Sequence, residues 1–233
     1  MGASYHQFCP VAKAMELLDE RWTMLVIREL LSGSRHFNDL RRGLPRMSPS
    51  LLSKRLNHLA RSGVLERRQE GREVVYELSP AGSELQAAIE LLGAWGVRWI
   101  GELGDADLDP RVLMWDLHRN VDTATVPEGI TVVRFDIVDA PPRLRRWWMV
   151  LTPTGVDVCD ADPGHEVAAT VNGSMRDLVS IWRGDRTWSS SLRRGAVTIT
   201  GSTQLQHQVP IWFGPSRFAT VPRPGDPDAA LAS

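Results

Sequence analysis

Two cysteines in 233 residues, Cys9 and Cys159, are too few and too far apart for a secreted disulfide framework. No Cys-x-x-Cys pair occurs, and the six histidines (His6, His36, His58, His118, His165, His207) are scattered singly. His6 and Cys9 would be two metal ligands without two more, so no metal site is expected. The chain lacks a Gly-rich phosphate loop, a Gly-x-Ser-x-Gly turn and a His-Glu-x-x-His helix, so neither a cofactor nor enzymatic activity is expected. No apolar run approaches membrane-spanning length, and the N-terminus lacks a charged-then-apolar signal pattern, which points to a soluble, cytoplasmic protein without a membrane partner. Net charge is nearly absent too. At a formal −1, any electrostatic preference must come from where the charges sit.

They sit unevenly. Between Arg35 and Arg72 there are ten cations (Arg35, Arg41, Arg42, Arg46, Lys54, Arg55, Arg61, Arg67, Arg68, Arg72) against three anions (Asp39, Glu66, Glu70). A local basic block in a neutral chain is an electrostatic footprint for phosphate. The hydrophobic share of 42% is ample for burying one large core or two ordinary ones.

Within that block lies the stretch from Met47 to Arg61. Read as a helix, Leu52, Leu56 and Leu59 fall at i, i+4 and i+7 on one narrow apolar stripe. Ser50, Lys54, Asn57 and Arg61 then lie on the opposite side, with no carboxylate among them. Ser48 suits the N-cap, Pro49 the first helical position and Gly63 the left-handed position past the end. A short, well-capped helix with a donor-rich outer face is what the major groove of DNA admits.

Helices are expected at Cys9 to Asp19, Trp22 to Leu31 and Phe37 to Arg42, the last exposing Arg41 and Arg42. Residues 37–42 and 49–61, joined by a Gly/Pro-containing turn, make a helix-turn-helix. Val64 to Leu78 reads as two extended segments around a Gly-containing tip, with Arg67, Arg68 and Arg72 placed to lie along phosphates as a wing. Ser79-Pro80 opens a long helix to about Glu102. Its apolar positions Leu85, Ala88, Ile89, Leu92, Trp95, Trp99 and Leu103 exceed what one small domain can cover, so the Trp95–Trp99 half is expected at a dimer seam.

Several of these features occur together in one family. Cys9-Pro10, Asp19-Glu20-Arg21-Trp22, Arg35-His36-Phe37-Asn38-Asp39-Leu40, Ser48-Pro49, Leu52-Ser53-Lys54-Arg55-Leu56 and Tyr76-Glu77-Leu78-Ser79-Pro80-Ala81-Gly82 resemble the HxlR family of bacterial winged-helix transcriptional regulators. The resemblance spans about residues 6–104. It implies a homodimer, formed through the N-terminal helix and the helix of residues 80–103, with one recognition helix per subunit in successive major grooves of a palindromic operator. Some members of that family sense quinones, aldehydes or oxidants through an N-terminal cysteine, which makes Cys9 a candidate sensor. A small buried hydrophobe at the seam is the alternative role for it.

Gly101 to Pro110 is Gly- and Asp-rich, and its residues 105–110 read as a linker between a domain of residues 1–104 and one of residues 111–214. Residues 215–233 are Pro-rich and expected to be a flexible tail. In the second domain, helices are expected at Arg111–Arg119, Ser174–Trp182 and Thr203–Phe213. Strands are expected at Ile130–Asp136, Arg145–Leu151, Val156–Cys159, Val167–Val171 and Ala196–Thr200, giving an α+β class overall. Six tryptophans (Trp115, Trp147, Trp148, Trp182, Trp188, Trp212) either fill its core or line an apolar cavity; Trp147 and Trp148, being adjacent, cannot both face inward. The run from Val171-Asn172-Gly173-Ser174 to Gly201 and a closing helix resembles the C-terminal half of sterol-carrier-protein-like domains. That likeness implies a tunnel for a hydrophobic small molecule, with Trp115, Trp147, Trp148, Leu178, Trp182 and Trp212 as candidate lining.

The expected function is a DNA-binding transcriptional regulator, a repressor, acting on double-stranded DNA under a hydrophobic effector. Ser50 and Lys54 would reach base edges, with Asn57 and Arg61 further along the same face. Arg41, Arg42, Ser48, Arg55, Arg67, Arg68 and Arg72 would hold the backbone or the helix start. The competing expectation is a lipid carrier that uses the winged helix as an interaction module.

Overall fold

The apolar stripe of residues 52, 56 and 59 does find a core. The computed structural model describes residues 4–223 and divides the chain into two compact units, with the division between Gly93 and Ala94. The first contains helices α1 (Pro10–Leu18), α2 (Thr23–Leu31), α3 (Phe37–Gly43) and α4 (Pro49–Arg61), then strands β1 (Leu65–Glu70) and β2 (Glu73–Leu78). Helix α5 (Pro80–Ser83) and the start of α6 (Leu85–Trp99) complete it. Leu52, Leu56 and Leu59 are fully buried with Val26, Ile27, Leu30, Leu40, Leu65 and Ile89. Each such side chain contributes about 1.5–3 kcal/mol relative to exposure.

Helix α4 is closed at both ends by its own chemistry. Ser48 Oγ accepts from the Leu51 amide at 3.3 Å, and Pro49 occupies the first turn. At the other end Gly63, at φ +73, lets its amide reach the Ala60 carbonyl while the Val64 amide reaches the Leu59 carbonyl. This is the Schellman arrangement, and it turns the chain directly into β1. Arg28 of α2 donates to the Gly43 carbonyl at the end of α3 at 3.5 Å, beside a buried carboxylate. Glu29, with no exposed surface, accepts from Arg28 at 2.6 Å and from the Ser34 hydroxyl at 3.2 Å.

The hairpin β1–β2 is antiparallel from Leu65 opposite Leu78 to Glu70 opposite Glu73, turning at Gly71. Residues 35 and 36, ahead of α3, pair with β2 through an isolated bridge: the Tyr76 amide donates to the Arg35 carbonyl at 2.8 Å and His36 bridges Val75. The wing is thereby fixed to the helix-turn-helix. Its far end is fixed by Ser79, whose hydroxyl donates to the Gly63 carbonyl at 2.6 Å and accepts from the Gly82 amide. A Cβ at Gly82 would stand 2.1 Å from the Val64 carbonyl oxygen, so only glycine fits.

The single helix expected over 80–102 is two, divided at Glu84 and ending at Trp99. Ile89 faces the core, whereas Leu91, Leu92, Trp95, Trp99 and Ile100 are more than half exposed.

The second unit is a five-stranded sheet in the order β5-β4-β3-β6-β7 (β3 Thr131–Ile137, β4 Arg146–Thr152, β5 Gly155–Cys159, β6 Val167–Gly173, β7 Val197–Gly201). Its central pair, β3 and β6, is parallel and every other pair antiparallel. Helices α7 (Pro110–His118), α8 (Met175–Trp182), α9 (Trp188–Arg193) and α10 (Thr203–Trp212) share one core with one sheet face. Val133, Phe135, Met149, Val171 and Ile199 alternate onto that face and meet Met114, Leu178, Val209, Trp212 and Phe213. Phe135 and Phe213 pack edge to face at 5.0 Å.

Two expectations of organisation are corrected here. The division between units falls inside α6 rather than at 105–110, because the C-terminal turns of α6 and the residues after it bond within the second unit. Arg98 donates to the Pro222 carbonyl, and Arg176 binds Asp105 at 2.5 Å. Residues 215–223 of the expected tail are tied down: the Ser216 amide donates to the Trp182 carbonyl at 2.7 Å, and Arg223 pairs with Asp185 and donates to the Arg183 carbonyl. Residues 224–233 of that segment lie outside the described residues. None of the helices among the described residues is long and apolar enough to cross a membrane.

Gly82→Ala should destabilise the first unit by about 2 kcal/mol, since a fixed backbone oxygen cannot yield as a side chain would. Urea unfolding followed by the far-UV signal checks this; an unchanged midpoint contradicts it.

Candidate nucleic-acid interface

Because the leucine stripe sets the rotation of α4, the opposite side is presented outward. Ser50, Ser53, Lys54, Asn57 and Arg61 are all exposed on it. They line a depression of about 530 Å³ shared with Glu20, Arg55 and His58. Among the described residues Lys54 and Arg61 have no ion-pair partner, so their charges are unspent. Arg41, in the last turn of α3, is exposed and likewise unpaired, and Arg42 beside it is exposed. A helix face with two free cations, an amide and two hydroxyls offers donors and acceptors to base edges in the major groove.

The wing arginines divide into two kinds. Arg67 and Arg72 are exposed and unpaired among the described residues, Arg72 at the turn itself. Arg68 instead bonds Glu66 at 2.7 Å and lies 3.3 Å from Glu77. Its hydrogen bond to the Glu66 carboxylate, with Glu77 and then Glu70 nearby, raises its pKa above the usual arginine value. Arg35 also pairs with Glu77. Arg68 therefore meets a phosphate only in competition with carboxylates of its own hairpin, though exposed pairs of this kind are weak.

Arg55 is corrected outright. Expected to hold phosphate, it is 8% exposed and points back across the fold, with Nε donating to the Arg21 carbonyl at 3.2 Å and the guanidinium paired with Glu20. On a helical wheel residue 55 lies beside Leu52, Leu56 and Leu59, and that adjacency was the available signal. Ser48, also expected at the interface, spends its hydroxyl on the cap and lies 3.3 Å from the Ser50 hydroxyl. Sequence reading missed Glu20 and Ser53 as members of this surface. Cys9 is the half-buried N-cap of α1, and its side chain makes no capping bond.

The candidate effector pocket does not assemble as expected. Trp147, Leu178 and Trp212 are buried in the filled core between sheet and helices, and Trp182 packs at its edge. Trp147 donates to the Leu144 carbonyl at 2.8 Å. Trp148 points to the opposite sheet face, in register with Arg134 and Cys159, as strand alternation requires. Trp115 packs against His118 and Arg119. Four of the six thus belong to the filled core, while Trp148 faces the other side of the sheet and Trp115 packs on its own helix.

A helix-turn-helix whose second helix turns a cationic, hydrogen-bonding face outward, flanked by a basic wing, defines a DNA-binding transcriptional regulator. Residues 17–103 match the HxlR-like helix-turn-helix family. The HTH-type transcriptional regulator YvaP of Bacillus subtilis is 32% identical over 98 residues, which are 40% of this chain and 91% of YvaP. The HTH-type transcriptional regulator YodB of the same organism is 32% identical over 91 residues, covering 37% of this chain and 81% of YodB. Rv3095 of Mycobacterium tuberculosis is 39% identical over 93 residues, and the match spans 58% of that protein's length. Among solved structures, the reduced form of YodB superposes at a TM-score of 0.36 with 31% identity, over 42% of this chain and all of that one. The chain belongs to the HxlR-like helix-turn-helix family.

Lys54→Ala should narrow discrimination between the preferred and a mutated duplex by roughly 1–3 kcal/mol, the range of a good base contact. Arg72→Ala should weaken all duplexes alike. Fluorescence anisotropy on matched duplexes separates the two; a uniform loss for Lys54→Ala would contradict its base-reading role.

Proposed function

We propose that this regulator acts as a homodimer on a palindromic operator and represses by occluding the DNA it covers, under control of the C-terminal unit. The observation that carries the reading is the row Ser50, Lys54, Asn57 and Arg61, exposed on a capped helix whose other side is pinned in the core. Dimerisation is supported by apolar surface of a kind that soluble monomers keep small. Leu92, Trp95 and Trp99 fall at i, i+3 and i+7 on α6 and are each more than half exposed; in the first unit Phe8 and Val11, at and just before the start of α1, are exposed as well. A two-fold axis would present two copies of α4 one DNA turn apart, about 34 Å. No catalytic step is assigned to the chain.

The C-terminal unit is read as an effector module of sterol-carrier-like architecture. The sheet order, with its parallel central pair and its helices on one face, supports that likeness. A hydrophobic effector would have to displace side chains that now fill the core, and binding would be coupled to DNA only if it favoured one dimer geometry. Cys9 offers a second input. As the N-cap of α1, next to the exposed Phe8, it stands where oxidation would disturb the start of that helix.

Trp95→Glu should convert the dimer to a monomer in light scattering and weaken operator binding by more than tenfold, with the far-UV spectrum unchanged. An unaltered mass would refute the seam. DNase footprinting of the region upstream of the protein's own gene at physiological salt should protect two half-sites one turn apart. A Cys9→Ser protein that still releases DNA on oxidant treatment would remove the second input.

A further inference from the structure

We propose that Arg55 is a positioning residue for the DNA-reading helix: it locks α4 to the corner between α1 and α2 and neutralises a carboxylate standing in the DNA-facing depression. The inference rests on the assignment of α4 as the reading helix. Arg55 lies one residue beyond Lys54, yet its side chain is only 10% exposed, against 25% for its partner Glu20. Its two contacts go to consecutive residues of the corner: Nε donates to the Arg21 carbonyl, and the guanidinium forms an ion pair with the Glu20 carboxylate. A guanidinium satisfies both at once because its donors are fixed in a planar fork.

The corner it grips is a place where geometry is over-determined. Trp22 has φ +80, a left-handed conformation that a bulky aromatic residue adopts only under constraint. The Arg21 guanidinium lies 5.3 Å from the Trp22 ring, and the Val26 amide donates to the Trp22 carbonyl as α2 begins. Helix α1 leads into this corner and carries the exposed Val11. A displacement of α1 would therefore move residues 20 and 21, and through Arg55 the axis of α4. Glu20 gives the contact a second consequence. It shares the depression with Lys54, Asn57 and Arg61, where an uncompensated carboxylate would repel a phosphate.

Arg55→Gln, Arg55→Lys, Glu20→Gln and the double Glu20→Gln/Arg55→Gln are compared in the full chain. Affinity for a preferred and a scrambled duplex is measured across a salt series, with thermal midpoints alongside. Arg55→Gln should cost the preferred duplex about tenfold or more and lower the preferred-to-scrambled ratio, while the logarithmic salt slope stays at the wild-type value. Arg55→Lys should not restore the ratio, because one ammonium cannot span both acceptors. The Arg55→Gln loss should shrink in the Glu20→Gln background, where no carboxylate is left bare. A slope lower by about 0.9 with equal weakening of both duplexes, or full rescue by lysine, would make Arg55 a phosphate contact and overturn the proposal. If Arg55→Gln unfolds, Glu20→Gln decides alone: it should lower the ratio, and an unchanged ratio overturns the proposal. A wild-type chain with no preference between the duplexes would instead overturn the reading of α4 itself.

Discussion

Burial of Leu52, Leu56 and Leu59 is the constraint on which the functional surface depends. Three side chains on one stripe leave α4 a single rotation about its axis that keeps them dry, and turning it would expose several kcal/mol of apolar surface. That rotation sends Ser50, Lys54, Asn57 and Arg61 outward together. The caps at Ser48 and Gly63 then fix where the helix begins and stops, so the outward row has a defined length as well as a defined direction.

Polar contacts with little margin for substitution attach the rest of the first unit to that helix. Ser79 and Gly82 bring the end of the wing against the end of α4, and residues 35 and 36 hold the other edge of the wing ahead of α3. Arg55 reaches across to the α1–α2 corner. The basic block counted along the sequence is consequently not one uniform cationic surface. Lys54, Arg61, Arg67 and Arg72 keep their charges for a partner, whereas Arg55 and Arg68 spend theirs on carboxylates of the fold.

Much of this was legible in the residues. Helical periodicity and capping chemistry placed α4 within a residue, and Gly71 placed the turn of the wing. Arg55 was not legible as an inward residue, because its partners Glu20 and Arg21 stand more than thirty positions away and only tertiary packing brings them near. In the second unit, alternation alone required Trp147 and Trp148 to face apart, and they do. Helix α9 escaped notice because Ser189-Ser190-Ser191 has no helical stripe; it exists because Thr187 caps it and Trp188 anchors in the core. The segment after Gly214 looked like tail from its prolines, yet backbone bonds from Ser216 and side-chain bonds from Arg223 hold it, which composition cannot show.

The central claim is that the outward face of α4 binds DNA through its charges and distinguishes sequences through its hydrogen-bonding groups. The most direct test is the affinity of the purified full chain for its footprinted duplex and for a scrambled duplex of equal length, measured from low to physiological salt and above. The account predicts that the logarithm of each affinity falls linearly with the logarithm of salt concentration, by about 0.9 per phosphate contacted, with the footprinted duplex bound more tightly throughout. A flat salt dependence, or equal affinity for the two duplexes at every salt concentration, would contradict it.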